Sequence, residues 1–175
     1  RQPPTGAKGA SQSMSTKGSQ SLLLLCSDNK WDAVRNRFKT SKVPSKQIHE
    51  SNEDGWTPLH LACMEEQHDV VKLLLKQGAD PSSGDSEGAT ALHIAATLPH
   101  AGILKDLCER TTVVVDPDQV DKNGSTPLHL AVEADDDSAA EAVKCVAILI
   151  GRGASPNVKD GSGKMTKGMP KPREL

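Results

Sequence analysis

The sequence predicts an all-α solenoid: about four stacked helix-turn-helix units joined by short hairpin-like loops. Three observations predict it. The strings DGWTPLHLA (54–62), EGATALHIA (87–95) and NGSTPLHLA (123–131) align on Thr57, Thr90 and Thr126, spaced 33 and 36 residues apart, each with Gly two places before the Thr. Each string opens with helix-start chemistry. Thr57 and Thr126 are N-cap residues, Pro58 and Pro127 sit at the first helical position where a missing N–H costs nothing, and Leu and Ala follow at helical spacing. The composition agrees, with 35% hydrophobic but only 2% aromatic residues in 175, one Phe, two Trp and no Tyr. A core must then be aliphatic, which argues against an immunoglobulin-type sandwich built around buried aromatics. The length suits one domain.

Residues 1–20 (RQPPTGAKGASQSMSTKGSQ) carry one large apolar residue, Met14, and cannot bury enough surface to offset the entropy of ordering. They are expected to form a flexible basic arm. Residues 21–50 read as an irregular front unit without the repeated string. In SLLLLCSDNKWDAVRNRF (21–38), Leu22, Leu25, Cys26, then Trp31, Val34 and Phe38 fall at helical spacing, and a loop follows through Pro44 to Gly55. Residues 51–84 form the first full unit, whose second helix presents Val70, Val71, Leu73, Leu74 and Leu75 before Gly78 ends it as a C-cap. Residues 85–120 form the next unit, with about three extra residues and no Gly-Ala exit. Residues 121–159 form the third, with about six extra residues around Asp135–Ala140; both insertions are expected to be loops. In 160–175, Asp160 and Gly163 repeat the Asp-x-x-Gly seen at Asp121 and Gly124, but Met165 stands where Thr would start a helix. This last stretch reads as a flexible basic tail or a truncated further unit. One unit cannot bury its own apolar face, so the units must stack.

The T-P-L-H-x-A strings at a 33-residue period resemble the ankyrin-repeat proteins. The resemblance extends to HDVVKLLLKQGADP (68–81) and VAILIGRGASPN (146–157), which look like second helices and exit turns; KDLCERTTVVVDP (105–117) departs from the pattern. Terminal capping units of such stacks commonly lack the signature, as residues 21–50 do. The resemblance implies that His60, His93 and His129 are structural, bonding the signature Thr and neighbouring backbone. It also implies partner binding through the hairpin tips and the exposed side of the first helices. Carried over by position, that surface comprises Glu53, Asp54, Trp56, Met64 and Glu65, then Ser86, Glu87, Ala89, Thr97 and Leu98. Lys122, Asn123, Ser125, Glu133 and Ala134 complete it. Trp56 and Met64 are the anchor candidates, since Trp concentrates binding energy and Met adapts to irregular partners. The alternative for Trp56 is packing against the next hairpin.

Charge is uneven along the chain. Residues 1–50 hold nine Lys and Arg against three Asp and Glu (+6), 51–158 seven against eighteen (−11), and 159–175 five against two (+3). Glu53, Asp54, Glu65, Glu66, Glu87, Glu133 and Asp135–Asp137 give one side a negative field that favours a basic partner segment, or else simply keep the surface solvated. Lys30, Arg35, Arg37, Lys39, Lys42 and Lys46 make the front unit basic, though neither nucleic acid nor a membrane is the expected partner. The basic arm or tail lying across the acidic groove is a further possibility.

Catalytic and cofactor chemistry find no support. Cys26, Cys63, Cys108 and Cys145 lie 37, 45 and 37 residues apart without a C-x-x-C pair, which excludes a disulfide scaffold and reads as core cysteines. His68 and His100 fall in turns between helices and suggest no ligand set. GSGKM (161–165) fails the phosphate-loop pattern because Val158 stands at its first Gly and Met165 replaces its hydroxyl. The sequon at Asn123 lies on a hairpin tip of a chain with reduced-cysteine character. The longest aliphatic run, Leu22–Leu25, is far shorter than a membrane span. The expectation is a monomeric, non-enzymatic protein-binding module of the cytoplasm or nucleus, with no cofactor, metal or small-molecule substrate. An inhibitor masking a basic segment of a transcription factor, or the regulatory module of a larger enzyme or channel, are the alternatives.

Overall fold

The computed structural model describes residues 20–40, 42–109, 115–133 and 139–166; among them are nine helices and one isolated β-bridge, between Lys159 and Met165. In chain order the helices are α1 (Leu22–Ser27), α2 (Trp31–Thr40), α3 (Ser45–Ile48), α4 (Pro58–Met64), α5 (His68–Lys76), α6 (Ala91–Thr97), α7 (Ala101–Glu109), α8 (Pro127–Val132) and α9 (Ala139–Gly151). Eight of them pack as pairs, α1 with α2, α4 with α5, α6 with α7 and α8 with α9, and α3 packs against α1. The pairs stack in two rows, an inner row α1, α4, α6, α8 and an outer row α2, α5, α7, α9. The all-α solenoid is therefore the architecture, and α1–α2 stacks as a full member of it.

Short-range chemistry sets the helix ends. Ser21 caps α1 by accepting from the Leu24 N–H at 3.2 Å. Thr57 and Thr126 do the same for α4 and α8, with Pro at the first helical position of each. Gly78 follows the C-cap of α5 at φ +89°, a left-handed conformation that suits glycine.

The core runs between the rows. Leu22, Val34, Leu59, Ala62, Val70, Leu74, Leu92, Leu104, Leu107, Leu128 and Leu149 are buried in one continuous cluster; each buried leucine contributes about 2 kcal/mol relative to exposure. Val71 and Leu75 join it and Leu73 is half-buried. Trp31 is buried and Phe38 packs against the core. Cys26, Cys63 and Cys145 are buried and Cys108 half-buried, all free thiols. Burial pushes Cys26 up to about 12 and Cys145 up to about 11, and raises Cys63 and Cys108 as well, so these are packing groups rather than nucleophiles.

Three local expectations are corrected. The stretch from Pro44 to Gly55 is not all loop, since α3 occupies Ser45–Ile48 with Ile48 buried. His68 is not in a turn; it is the first residue of α5. Of the insertion near Asp135–Ala140, Ala139 and Ala140 extend α9, which reaches 13 residues against 9 in α5. An alanine pair favours helix over loop. The arm at 1–19, residues 110–114 within the divergent 105–117 stretch where the second unit's extra residues were expected to loop, residues 134–138 with the Asp135–Asp137 run, and 167–175 lie outside the described residues.

Candidate functional site

The side bearing the hairpin tips is built by one arrangement used four times. Asn52, Asp85, Asp121 and Asp160 each turn a side-chain oxygen, Oδ1, back on their own loop. Asn52 accepts from the N–H groups of Asp54 and Trp56 at 3.1 and 2.8 Å, and Asp85 from Glu87 and Ala89 at 2.8 and 2.9 Å. Asp121 accepts from Asn123 and Ser125 at 2.8 and 2.9 Å, and Asp160 from Ser162 and Lys164 at 2.9 and 2.8 Å. Such short side chains mimic a backbone turn. Three residues on, Gly55, Gly88, Gly124 and Gly163 all have positive φ. Neighbouring tips are then tied together: the N–H groups of Ser86, Lys122 and Gly161 donate to the carbonyls of Asp54, Glu87 and Asn123, each at 2.8 Å. Glycine is required at 124 because a Cβ there would stand 2.6 Å from the Gly161 nitrogen.

Behind the tips, the repeated histidines lock each loop to its helix. The N–H groups of Thr57, Thr90 and Thr126 donate to Nδ1 of His60, His93 and His129 at 3.1, 3.1 and 3.2 Å, with the threonine hydroxyls 2.8 Å from the same nitrogens. With Nδ1 accepting, the ring proton resides on Nε2. His93 donates it to the Ser125 carbonyl at 3.0 Å and His129 to the Lys164 carbonyl at 3.2 Å, each reaching the next loop. The Nε2 of His60 has no hydrogen-bond partner among the described residues. Burial holds the His60 and His93 imidazoles below the usual histidine range.

This frame positions the residues expected to bind a partner. Glu53, Asp54, Ser86, Glu87, Lys122 and Asn123 are exposed at the tips, while Trp56, Ala89 and Ser125 are half-buried where the tips lead into the inner helices. Met64 is half-buried at the end of α4, with Glu65 exposed beside it; Thr97 and Leu98 are exposed at the end of α6 and Glu133 at the end of α8. Ala134 lies outside the described residues. Asn52, Asp85, Asp121 and Asp160, which organise the tips, were absent from the expected surface. Asp-x-x-Gly at 121 and 160 was their signal, and Asn at 52 breaks the pattern in the first copy.

The charge pattern is less uniform than residue counts suggest. Glu87 faces Lys122 at 3.9 Å, Glu133 pairs with Lys164, and Glu66 lies 3.7 Å from His100 Nε2. Glu53 and Asp54 at the first tip, and Glu65 at the far end of α4, have no ion-pair partner among the described residues, which leaves carboxylates uncompensated beside Trp56 at one end of α4 and beside Met64 at the other. The basic front unit is also partly spent on internal contacts. Lys30 bonds Asp28, Arg35 bonds Asp69 and Asp32, and Arg37 bonds the Gln20 carbonyl and Gln47. Among the described residues no group of three His, Cys, Asp or Glu side chains is arranged to hold a metal, and no helix is long and apolar enough to cross a membrane.

A family model for ankyrin repeats (3 copies) matches residues 10–118 and 83–160. The chain belongs to the ankyrin-repeat family. It is 33% identical over 113 residues to the nuclear factor NF-kappa-B p105 subunit of Rattus norvegicus, covering 65% of this chain and 11% of that protein. It is 32% identical over 124 residues to NF-kappa-B inhibitor delta of Mus musculus, covering 63% and 38%. The B-cell lymphoma 3 protein homolog of Mus musculus is 31% identical over 144 residues, covering 82% and 31%. The chain thus spans well under half the length of these relatives. An ankyrin-repeat stack related to such proteins is a protein-interaction module.

Proposed function

We propose that this ankyrin-repeat chain is a non-catalytic recognition module that holds a partner protein along its hairpin tips and inner-helix ends, with a basic segment of that partner at the first tip. One observation supports this most: Glu53 and Asp54 beside half-buried Trp56 at the start of α4, and Glu65 beside half-buried Met64 at its end, have no ion-pair partner among the described residues. An apolar side chain beside uncompensated carboxylates at each end of α4 suits a segment in which Lys or Arg flanks large apolar residues, the carboxylates steering it and Trp56 and Met64 holding it. Ser86, Glu87, Ala89, Thr97 and Leu98, then Lys122, Asn123, Ser125, Glu133 and Ala134, would carry the remainder of the contact. The tip-to-tip hydrogen bonds favour binding without large rearrangement, since the surface is already ordered.

A second reading has its own support. The relatives are much longer than the matched region, which is consistent with a regulatory module of a larger protein, and one relative is by name an NF-kappa-B inhibitor. Masking a basic segment of a transcription factor in the cytoplasm or nucleus would use the same surface. The test is affinity capture from a lysate beside a Trp56→Ala, Met64→Ala double variant, with bound proteins identified by mass spectrometry. Partners lost with the double variant, and weakened by added salt, support the reading. Equal capture by both chains rejects it.

A further inference from the structure

We propose that Ser155, in the turn that leaves α9, is a phosphorylation site for a proline-directed serine/threonine kinase, and that the phosphate loosens the last layer from the one before it. The turns after α5, α7 and α9 place Asp80, Asp116 and Ser155 at one equivalent position, each followed by proline: Asp80-Pro81, Asp116-Pro117 and Ser155-Pro156. The three side chains do the same thing. Asp80 Oδ1 accepts from the Ser82 N–H at 2.9 Å, Asp116 Oδ1 from the Asp118 N–H at 2.9 Å, and Ser155 Oγ from the Asn157 N–H at 3.3 Å. A position that holds a carboxylate in two turns has room, and an N–H donor in place, for a negative oxygen in the third. Ser155 gains that charge only by modification: a phosphoserine brings about −1.5 to −2 charges and three acceptor oxygens.

Accessibility singles the residue out. Three hydroxyl residues in the chain precede proline: Thr57, Thr126 and Ser155. Thr57 and Thr126 are buried N-caps, their hydroxyls 2.8 Å from a histidine Nδ1. Ser155 is half-buried, and Arg152, Gly153, Pro156 and Asn157 around it are exposed. The following proline biases Ser155 toward extended backbone, so the segment needs little unwinding to lie in a substrate groove. In the transfer, Ser155 Oγ bonds to the γ-phosphorus of a nucleoside triphosphate and the bond from that phosphorus to the β–γ bridging oxygen breaks. The diphosphate leaves, and the hydroxyl proton passes to the kinase's base.

The neighbouring turn says what the phosphate does. The Ser155 N–H donates to Asp118 Oδ1 at 2.8 Å, which ties the turn after α9 to the turn after α7. The junction before it is built the other way round. There the Gln119 side-chain amide donates to the Ser82 carbonyl at 3.3 Å, the acid Asp116 stands at the place of Ser155, and the uncharged Ser82 stands at the place of Asp118. Each junction thus carries a carboxylate at one of these two positions and a serine at the other. A phosphate on Ser155 charges both, and like-charge repulsion acts against the bond from Ser155 to Asp118. The Arg152 guanidinium is already engaged by Glu109 at 2.8 Å and the Cys108 carbonyl at 3.2 Å.

The experiment has two arms. In the first, the folded full chain and its Ser155→Ala variant are incubated with ATP, Mg²⁺ and a cyclin-dependent or a mitogen-activated protein kinase, and modified residues are located by fragment mass spectrometry. The expected result is a phosphate on Ser155, lost in Ser155→Ala, with Thr57 and Thr126 untouched. A folded chain that stays unmodified at Ser155 with both kinases overturns the site. In the second arm, the chain carrying phosphoserine at 155 is compared with the unmodified chain by thermal melting and amide hydrogen exchange, each with and without Asp118→Asn. That substitution keeps an acceptor for the Ser155 N–H and removes the charge. Phosphorylation should lower the melting midpoint by about 2–4 °C and speed exchange of the Ser155 and α9 amides about fivefold. Asp118→Asn should remove most of both effects, and about 0.5 M salt should shrink them without any substitution. An unchanged or raised midpoint overturns the coupling, as does a loss that persists undiminished in Asp118→Asn and in salt.

Discussion

The tip side and the outer row of this molecule hold the same layers together by different means. Between tips, one hydrogen bond recurs at each junction with the same length, and the groups that shape it come from the same offsets within every repeat. In the outer row no junction resembles another. Arg35 of α2 grips Asp69 and Gln67 at the start of α5; His68 of α5 lies 2.5 Å from Asp106 of α7, with Lys72 at 3.6 Å from the same carboxylate; and Arg152, just after α9, bonds the Cys108 carbonyl and Glu109 at the end of α7. A periodic arrangement on one side keeps the layers in register, while varied pairs on the other tolerate helices of different length, α9 among them. Main-chain contacts demand a set geometry and side-chain pairs do not.

The largest expected effect comes from breaking the periodic side where two tips approach closely. Gly124 and Gly78 share a left-handed backbone, with φ of +72° and +89°, but a Cβ at 124 would meet the Gly161 nitrogen at 2.6 Å whereas nothing lies within 4 Å at 78. Gly124→Ala therefore incurs backbone strain and displaces the next tip, for a loss of about 2–3 kcal/mol. Gly78→Ala incurs the strain alone, about 1 kcal/mol. Urea denaturation of the two variants separates them. Equal losses would mean that the close approach of the tips contributes nothing.

Acidification probes three histidines, the buried His60 and His93 behind the tips and the half-buried His100 in the turn before α7. Burial lowers His60, His93 and His100 below the unfolded histidine value, with Glu66 and Glu141 opposing the shift at His100. The unfolded chain then binds more protons below about pH 6.5, so stability rises with pH. It should be complete near pH 8 and decline as pH falls through the histidine range, by up to about 1.4 kcal/mol per pH unit for each proton taken up on unfolding. Urea midpoints at pH 7.5, 6.5 and 5.5 measure this, and His93→Gln should flatten the slope. A midpoint that holds steady from 7.5 to 5.5 would contradict the burial of these rings.

A loss of about 1 kcal/mol is expected for Thr126→Ala, which removes the α8 cap together with the hydroxyl beside His129. This contact was legible before any coordinates, because a cap and its helix lie within three residues of each other and the string TPLHLA writes both. The α1–α2 layer was legible too, from Leu22, Trp31 and Val34 at helical spacing, without the signature. What the sequence concealed depends on pairing across layers. The counts of +6 and −11 suggested a basic front and an acidic side, yet Arg35 is neutralised by Asp69, 34 residues away, and Glu133 by Lys164, 31 residues away. Neither partner is at a local offset, so no reading of spacing joins them. His68 and Asp106 are likewise 38 residues apart, and the alignment of α5 against α7 alone brings them together.

The smallest effect is expected where the outer row is most visibly bonded. Arg35 makes four contacts, to Asp69 twice, to Asp32 and to Gln67, and the Arg35 guanidinium holds the Asp69 carboxyl below the usual carboxylate range. Yet the Asp69 side chain is 56% exposed, so water competes for both charges and salt screens them. Arg35→Ala should cost only about 0.5 kcal/mol, and less in 0.5 M salt. Thr126→Ala, whose single hydroxyl is buried, should cost more despite removing fewer bonds, and its loss should not depend on salt. Measuring both variants at low and high salt tests the contrast between the two sides. If Arg35→Ala proves the more damaging and remains so in salt, the ion pairs of the outer row, not the repeated tips, govern how the layers are held.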